Sequence, residues 1–142
     1  MKHFILFFVL ALASSTAFAA GSYYDLNDEL RSANRLIEKE QYKRAITKLK
    51  KAVKNEPKNA DAWNLLGYAS RKKGDLEKSA EAYSKALRID PNHKDALEYQ
   101  GELFLMLGDK AAAEGNLAKL NSLCPNGCEQ VEVLMKAIAA AQ

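Results

Sequence analysis

The sequence is poor in the side chains that most catalytic sites need. Of its 142 residues, two are histidines and two are cysteines. His3 lies at the amino terminus, and His93 follows Pro91-Asn92, so we expect it to be a solvated turn residue with no second histidine to complete a site. The sequence has no hydrolase triad pattern, glycine-rich phosphate loop or metal-ligand cluster. We therefore expect a protein that is not an enzyme and binds no cofactor or metal.

An excess of charge of one sign is also missing. The chain has 21 Lys and Arg residues against 18 Asp and Glu residues, a formal net charge of +3, and the two signs are interleaved along the sequence. Nucleic-acid binding requires a concentrated basic face. The charge pattern therefore argues against a nucleic-acid partner and indicates solvated helix faces.

The amino-terminal apolar run is short. It extends from Phe4 to Ala13 behind Lys2, and Ala17-Phe18-Ala19 places small residues where a signal peptidase cleaves. A membrane-spanning helix needs roughly 20 apolar residues, so a cleaved signal peptide fits better than the alternative, a retained anchor. We predict a signal peptide at residues 1–19, a short lead at 20–25, and a periplasmic or secreted protein without stable membrane insertion.

Proline is rare, and its positions are periodic. Pro57, Pro91 and Pro125 are each 34 residues apart. The same spacing relates Gly67 to Gly101, Gly74 to Gly108, Asp75 to Asp109, and Ala62 to Ala96. Because proline cannot continue a helix, each proline marks a boundary between units. The repetition predicts three units, at residues 26–59, 60–93 and 94–127, followed by a last helix at 128–142.

Each unit is predicted to be a pair of helices. Within 60–73, apolar residues recur at steps of three and four, which is typical of an amphipathic helix. Gly67 lies on this helix, where it lets a neighbouring helix approach closely, and Gly74-Asp75 ends the helix and caps the next. One helical hairpin cannot bury its apolar face alone, so the units must stack and the last helix must cover their end. The apolar stripe predicted for that contact is Val131, Leu134, Met135 and Ile138.

The second unit resembles a tetratricopeptide repeat in Trp63-Asn64-Leu65-Leu66-Gly67, Gly74-Asp75, Tyr83, Ala86 and Asp90-Pro91-Asn92. The first unit departs from the pattern, with Ser32-Ala33 in place of Leu-Gly, and the third has Leu97 in place of Trp. The resemblance implies an all-α fold, a right-handed superhelix of three helix-turn-helix repeats plus a carboxy-terminal capping helix. The whole layout resembles small periplasmic tetratricopeptide proteins of Gram-negative bacteria, which implies a role in binding or assembly.

The resemblance also implies a concave inner surface, lined by the first helix of each repeat, that binds a polypeptide. The inward positions of the family correspond here to Arg31, Asn34, Asn64, Tyr68, Arg71, Lys72, Glu98, Tyr99 and Glu102. Amide and guanidinium groups hydrogen-bond a peptide backbone, and tyrosines supply rigid contact area. The alternative is a polar helix face that is merely solvated.

The clamp with which some tetratricopeptide domains hold the acidic tails of cytosolic chaperones is not matched. Asn34 stands at one of its positions, but Leu30, Leu65, Asp95 and Tyr99 occupy the others. With an export signal as well, the expected partner is a protein or peptide segment of the envelope.

Cys124 and Cys128 flank Pro-Asn-Gly, a turn sequence, just before the last helix. An even number of cysteines in an exported protein predicts a disulfide, which would fix the capping helix. The alternative is a thiol-redox or copper-handling protein, because a helix amino terminus lowers a thiol pKa. The three-residue spacing and the absence of a strand pattern favour the structural disulfide. Self-association through the repeat ends is a further possibility.

Overall fold

The computed structural model describes the backbone of residues 17–141 and the side chains of residues 28–141. Within these residues the chain forms helices and no strand. The predicted signal peptide lies outside the described residues except for its last three, and the predicted lead at 20–25 is part of the first helix. The helices are α1 (Ala17–Glu38), α2 (Tyr42–Asn55), α3 (Ala60–Lys73), α4 (Leu76–Ile89), α5 (Lys94–Met106), α6 (Lys110–Leu123) and α7 (Glu129–Ala140).

Each helix packs against the next along the chain, so α1–α2, α3–α4 and α5–α6 form three stacked hairpins. The first helices of successive hairpins also meet, α1 with α3 and α3 with α5. Helix α7 packs on both helices of the third hairpin. This confirms the predicted all-α fold of three helix-turn-helix repeats with a carboxy-terminal capping helix.

Small residues allow the helices to approach closely. A Cβ atom added to Gly67 would lie 2.6 Å from two ring carbons of Tyr83, which is fully buried. A Cβ atom at Gly101 would lie 2.6 Å from a methyl carbon of Leu134 on α7. Alanine is frequent in the buried core for the same reason. The core residues of the first two hairpins are Ala33, Ala45, Leu49, Ala52, Val53, Ala62, Leu66, Ala69 and Ala82.

Helices α3 to α6 each begin with a side chain that accepts a hydrogen bond from the first turn. For α5 this residue is His93, whose Nδ1 accepts from the backbone N–H of Ala96 at 3.3 Å. Its Nε2 lies 2.9 Å from Asp61 Oδ1 on α3. The expectation of a solvated turn histidine is wrong, because both ring nitrogens are engaged and the side chain is 10% exposed.

The capping helix buries three of its four predicted apolar residues. Leu134 and Ile138 belong to the core of the third hairpin, and Val131 packs against it. Met135 is 51% exposed, so its predicted place in the contact stripe is wrong. It lies beside the buried face of α7, on the side where no further helix of the described chain packs.

The outer surface carries more segregated charge than the whole-chain count indicates. Helix α2 has no acidic residue, and its basic residues are all exposed: Lys43, Arg44, Lys48, Lys50, Lys51 and Lys54. None of the helices between residues 17 and 141 has both the length and the apolar character needed to cross a membrane.

Candidate functional site: the inner surface of α1, α3 and α5

The predicted binding residues lie on the first helix of each repeat, but the structure brings only some of them together. On α1, Arg31 and Asn34 are exposed, and Arg31 forms an ion pair with Asp28 of the same helix. Lys72 of α3 is also exposed. The remaining predicted residues lie on α3 and α5, two helices that pack against each other. They are Asn64, Tyr68 and Arg71 of α3, and Glu98, Tyr99 and Glu102 of α5.

Four of these side chains form one cluster, the Arg71 cluster, made of Tyr68, Arg71, Tyr99 and Glu102. The ring centroids of Tyr68 and Tyr99 are 4.9 Å apart, and the rings are inclined at 54°. The guanidinium carbon of Arg71 lies 5.5 Å from the Tyr68 centroid and 5.8 Å from the Tyr99 centroid. The guanidinium also forms an ion pair with Glu102. Arg71 therefore joins the second repeat to the third through charge and aromatic contacts.

This cluster changes the role expected of Arg71. As a predicted binding residue it would offer its guanidinium to a ligand, but that group is already held by Glu102 and the two tyrosine rings. A planar guanidinium that pairs with a carboxylate and packs on aromatic rings is held in place by both contacts. In the free protein Arg71 thus ties the two repeats together. Peptide contact by Arg71 and by the other predicted residues stays a prediction.

Asn64 and Glu98 occupy equivalent positions, 34 residues apart, in the second and third repeats. They are 4% and 7% exposed. Each lies four residues, about one helical turn, before a member of the inner surface, Tyr68 and Glu102 respectively. The Oδ1 atom of Asn64 is buried and accepts no hydrogen bond from any described residue.

The Glu98 carboxylate is likewise neither hydrogen-bonded nor ion-paired to a residue that the structure describes. Burial, followed by the nearby carboxylates of Glu102 and Asp95, raises the pKa of Glu98 from 4.5 to about 7. Glu129 of α7 acts in the same direction, and Arg71 opposes it. Burial and the carboxylate of Glu98 also raise the pKa of Tyr99 to about 12, so its phenol stays a hydrogen-bond donor at neutral pH.

The sequence did not identify several residues that support this surface. Asp95 accepts a hydrogen bond of 2.7 Å from Gln130, which ties the start of α7 to the start of α5. Tyr83 lies behind the Arg71 cluster, with its ring centroid 6.4 Å from that of Tyr99. The Asp95–Gln130 pair joins the third repeat to the capping helix, and the repeat pattern gives no signal for it.

The two cysteines lie away from the inner surface, between α6 and α7. Their sulfurs are within disulfide distance, and the Cα atoms of Cys124 and Cys128 are 5.8 Å apart. Gly127 makes the intervening turn with a φ of +84°, a conformation that favours glycine. Within the described part of the chain, no group of three His, Cys, Asp or Glu side chains is arranged to hold a metal ion.

Comparison with known proteins identifies the class of fold. A family model described as tetratricopeptide repeat matches residues 30–94. The match covers 65 of the 142 residues, and the third hairpin and α7 continue the same helical architecture.

Particular relatives match this architecture but not a whole protein. A stretch of 74 residues, 52% of the chain, is 36% identical to a probable UDP-N-acetylglucosamine–peptide N-acetylglucosaminyltransferase SPINDLY of Hordeum vulgare. The match covers 8% of that protein, so the chain spans less than a tenth of its length.

Two solved structures share the fold. The second domain of human RPAP3, in complex with an HSP70 peptide, superposes with a TM-score of 0.72 at 20% identity, covering 82% of this chain and 97% of that one. The Yersinia enterocolitica type III secretion chaperone SycD, in complex with a peptide of the translocator YopD, gives 0.73 at 18% identity, covering 82% and 92%.

Proposed function

We propose that the protein is a non-enzymatic adaptor that binds an extended segment of another polypeptide on the inner surface of α1, α3 and α5. The observation that carries the proposal is the pair Asn64 and Glu98, at equivalent positions of the second and third repeats. The buried Oδ1 atom of Asn64 has no hydrogen-bond donor, and the Glu98 carboxylate has neither a hydrogen bond nor an ion pair among the described residues. Buried polar groups are nearly always paired in folded proteins. A peptide lying in the concavity would supply a donor to Asn64 once the amide rotates to face it, because its oxygen is shielded from solvent in the free protein.

The comparisons support a peptide ligand in general terms. Two structures of the same fold hold peptides of other proteins, an HSP70 peptide and a YopD peptide. The acidic chaperone tail is disfavoured here, because Leu30, Leu65, Asp95 and Tyr99 stand at positions of the clamp. The proposed ligand is instead a segment of an envelope or secreted protein.

Affinity capture from the native host tests the adaptor function. We expect Asn64→Ala to reduce recovery of the partner by about tenfold, the effect of losing one hydrogen bond in a desolvated site. The matched control is Asn121→Ala, the same change at an exposed position of α6. Equal recovery with both variants would contradict binding on the inner surface.

We also propose that the protein is exported and loses residues 1–19. Cleavage at that point would remove only Ala17 to Ala19 from α1 and would leave Asp28–Glu38, which includes the buried Ala33. Amino-terminal sequencing of the protein from fractionated cells checks this. We expect envelope protein that begins near Ala20, and cytoplasmic protein that begins at Met1 would refute it.

A further inference from the structure

Negative charge is concentrated at one end of the inner surface. Asp95, Glu98 and Glu102 lie on α5, and Glu129 begins α7 beside them. The cation that acts on Glu98 from α3 is Arg71, and Arg71 is already paired with Glu102. The carboxylate of Glu98 is therefore left without a cation of its own among the described residues.

Glu98 as a whole residue is 7% exposed, and its carboxylate has no ion pair, which is unfavourable for a charged group in the free protein. Asn64, at the equivalent position of the second repeat, has a buried side-chain oxygen without a donor. These two observations are independent, since one concerns charge and the other a neutral amide. Both groups can accept hydrogen bonds from a ligand, and Glu98 in addition favours a donor with positive charge.

The tyrosines define the rest of the site. Tyr68 and Tyr99 are partly exposed, and their rings pack together with centroids 4.9 Å apart. An aromatic surface accommodates the aliphatic part of a lysine or arginine side chain while its charged end reaches a carboxylate. Since Arg71 is held by Glu102, an incoming cation would be directed to Glu98.

We propose that this end of the inner surface recognises a lysine or arginine side chain of the bound peptide, with Glu98 as the carboxylate partner and Asn64 accepting a hydrogen bond from the peptide backbone. The proposal rests on the peptide-binding function proposed above and specifies its ligand. It gives the surface a preference opposite in sign to that of a clamp for acidic tails.

The titration of Glu98 provides a second readout. The groups around it are Asp95, Glu102 and Tyr99 on α5, Arg71 on α3 and Glu129 on α7. Because they leave the pKa of Glu98 at about 7, part of the carboxyl is protonated at neutral pH. A cationic ligand must displace that proton, so its affinity should rise between pH 6 and pH 8.

Binding of defined peptide pools tests the proposal. The probes are fluorescein-labelled nonapeptides with Lys, Arg, Glu or Ser fixed at the centre and uncharged residues elsewhere, measured by fluorescence anisotropy at pH 8. We expect the Lys or Arg pool to bind at least about tenfold more tightly than the Glu pool. Glu98→Gln should remove most of this preference and its rise with pH.

Glu114→Gln, at an exposed position of α6, is the matched control and should leave the preference unchanged. Thermal unfolding by circular dichroism establishes that both variants are folded. Stronger binding of the Glu pool, or an unchanged preference in Glu98→Gln, would overturn the assignment of a basic ligand while peptide binding itself stands. Failure of every pool to bind the wild type would overturn the proposed adaptor function as well.

Discussion

At the scale of single residues, Gly67 shows how closely the paired helices of a repeat approach. A Cβ atom there would lie 2.6 Å from the Tyr83 ring, and that ring is fully buried behind the Arg71 cluster. The ring cannot move aside without disturbing Tyr99, whose centroid is 6.4 Å away. The lack of a side chain at Gly67 thus sets the distance between α3 and α4. It also allows the Tyr83 ring to pack behind the Arg71 cluster.

Gly67→Ala should therefore destabilise the protein by about 2 kcal/mol, the usual effect of an added methyl group in a packed core. The same change at Gly115 is the control, because a Cβ atom there meets nothing within 4 Å. Gly115→Ala should stabilise α6 slightly, by about 0.5 kcal/mol, since alanine favours a helix. Urea unfolding monitored by circular dichroism measures both, and similar effects of the two changes would refute the close contact.

Glu98 makes stability depend on pH. The unfolded glutamate titrates near 4.5, and the folded one at about 7, so the folded state binds the extra proton between these values. The free energy of unfolding therefore falls as the pH rises from 4.5 to 7, and the loss remains at higher pH. We expect Glu98→Gln to exceed the wild type in stability at pH 8, by at most roughly 3 kcal/mol for a pKa shift of this size, and to differ little at pH 4. Equal stability at both pH values would contradict the raised pKa.

At the scale of elements, three specific contacts position α7 on the third repeat. It is held by the Leu134–Gly101 contact, by the hydrogen bond from Gln130 to Asp95, and by the link between Cys124 and Cys128. The cysteine link lies in the turn between α6 and α7, where the backbone N–H of Gly127 also donates a hydrogen bond of 2.9 Å to the carbonyl oxygen of Cys124.

Alkylation mass spectrometry of the native protein should find no free thiol at Cys124 or Cys128. Replacement of both by serine should lower stability by about 2 kcal/mol at most, because the closed loop is short. Hydrogen exchange should increase chiefly in Glu129–Ala140, the residues of α7. Two reactive thiols in the native protein would instead support the thiol-redox or copper-handling alternative.

At the scale of the whole molecule, the fold could be predicted because the residues that end and begin its helices recur at a fixed spacing in the sequence. Prolines 34 residues apart and the Gly-Asp pairs between helices specify three hairpins, and each hairpin repeats the same local rules. The site was less accessible to prediction. The pairing of Arg71 with Glu102, and of His93 with Asp61, depends on how one repeat is rotated against the next. Met135 is exposed because no other helix of the described chain covers it.

The capping helix has a consequence for how long such a protein can be. Leu134 and Gln130 bring α7 alongside α5 much as Tyr99 and Glu102 bring α5 alongside α3. Helix α7 thus stands where the first helix of a fourth repeat would stand, and its Met135 is 51% exposed. The fold can therefore accommodate more repeats. A further 34-residue unit inserted before α7 would lengthen the concave surface by one repeat, and α7 would pack on that unit as it now packs on the third.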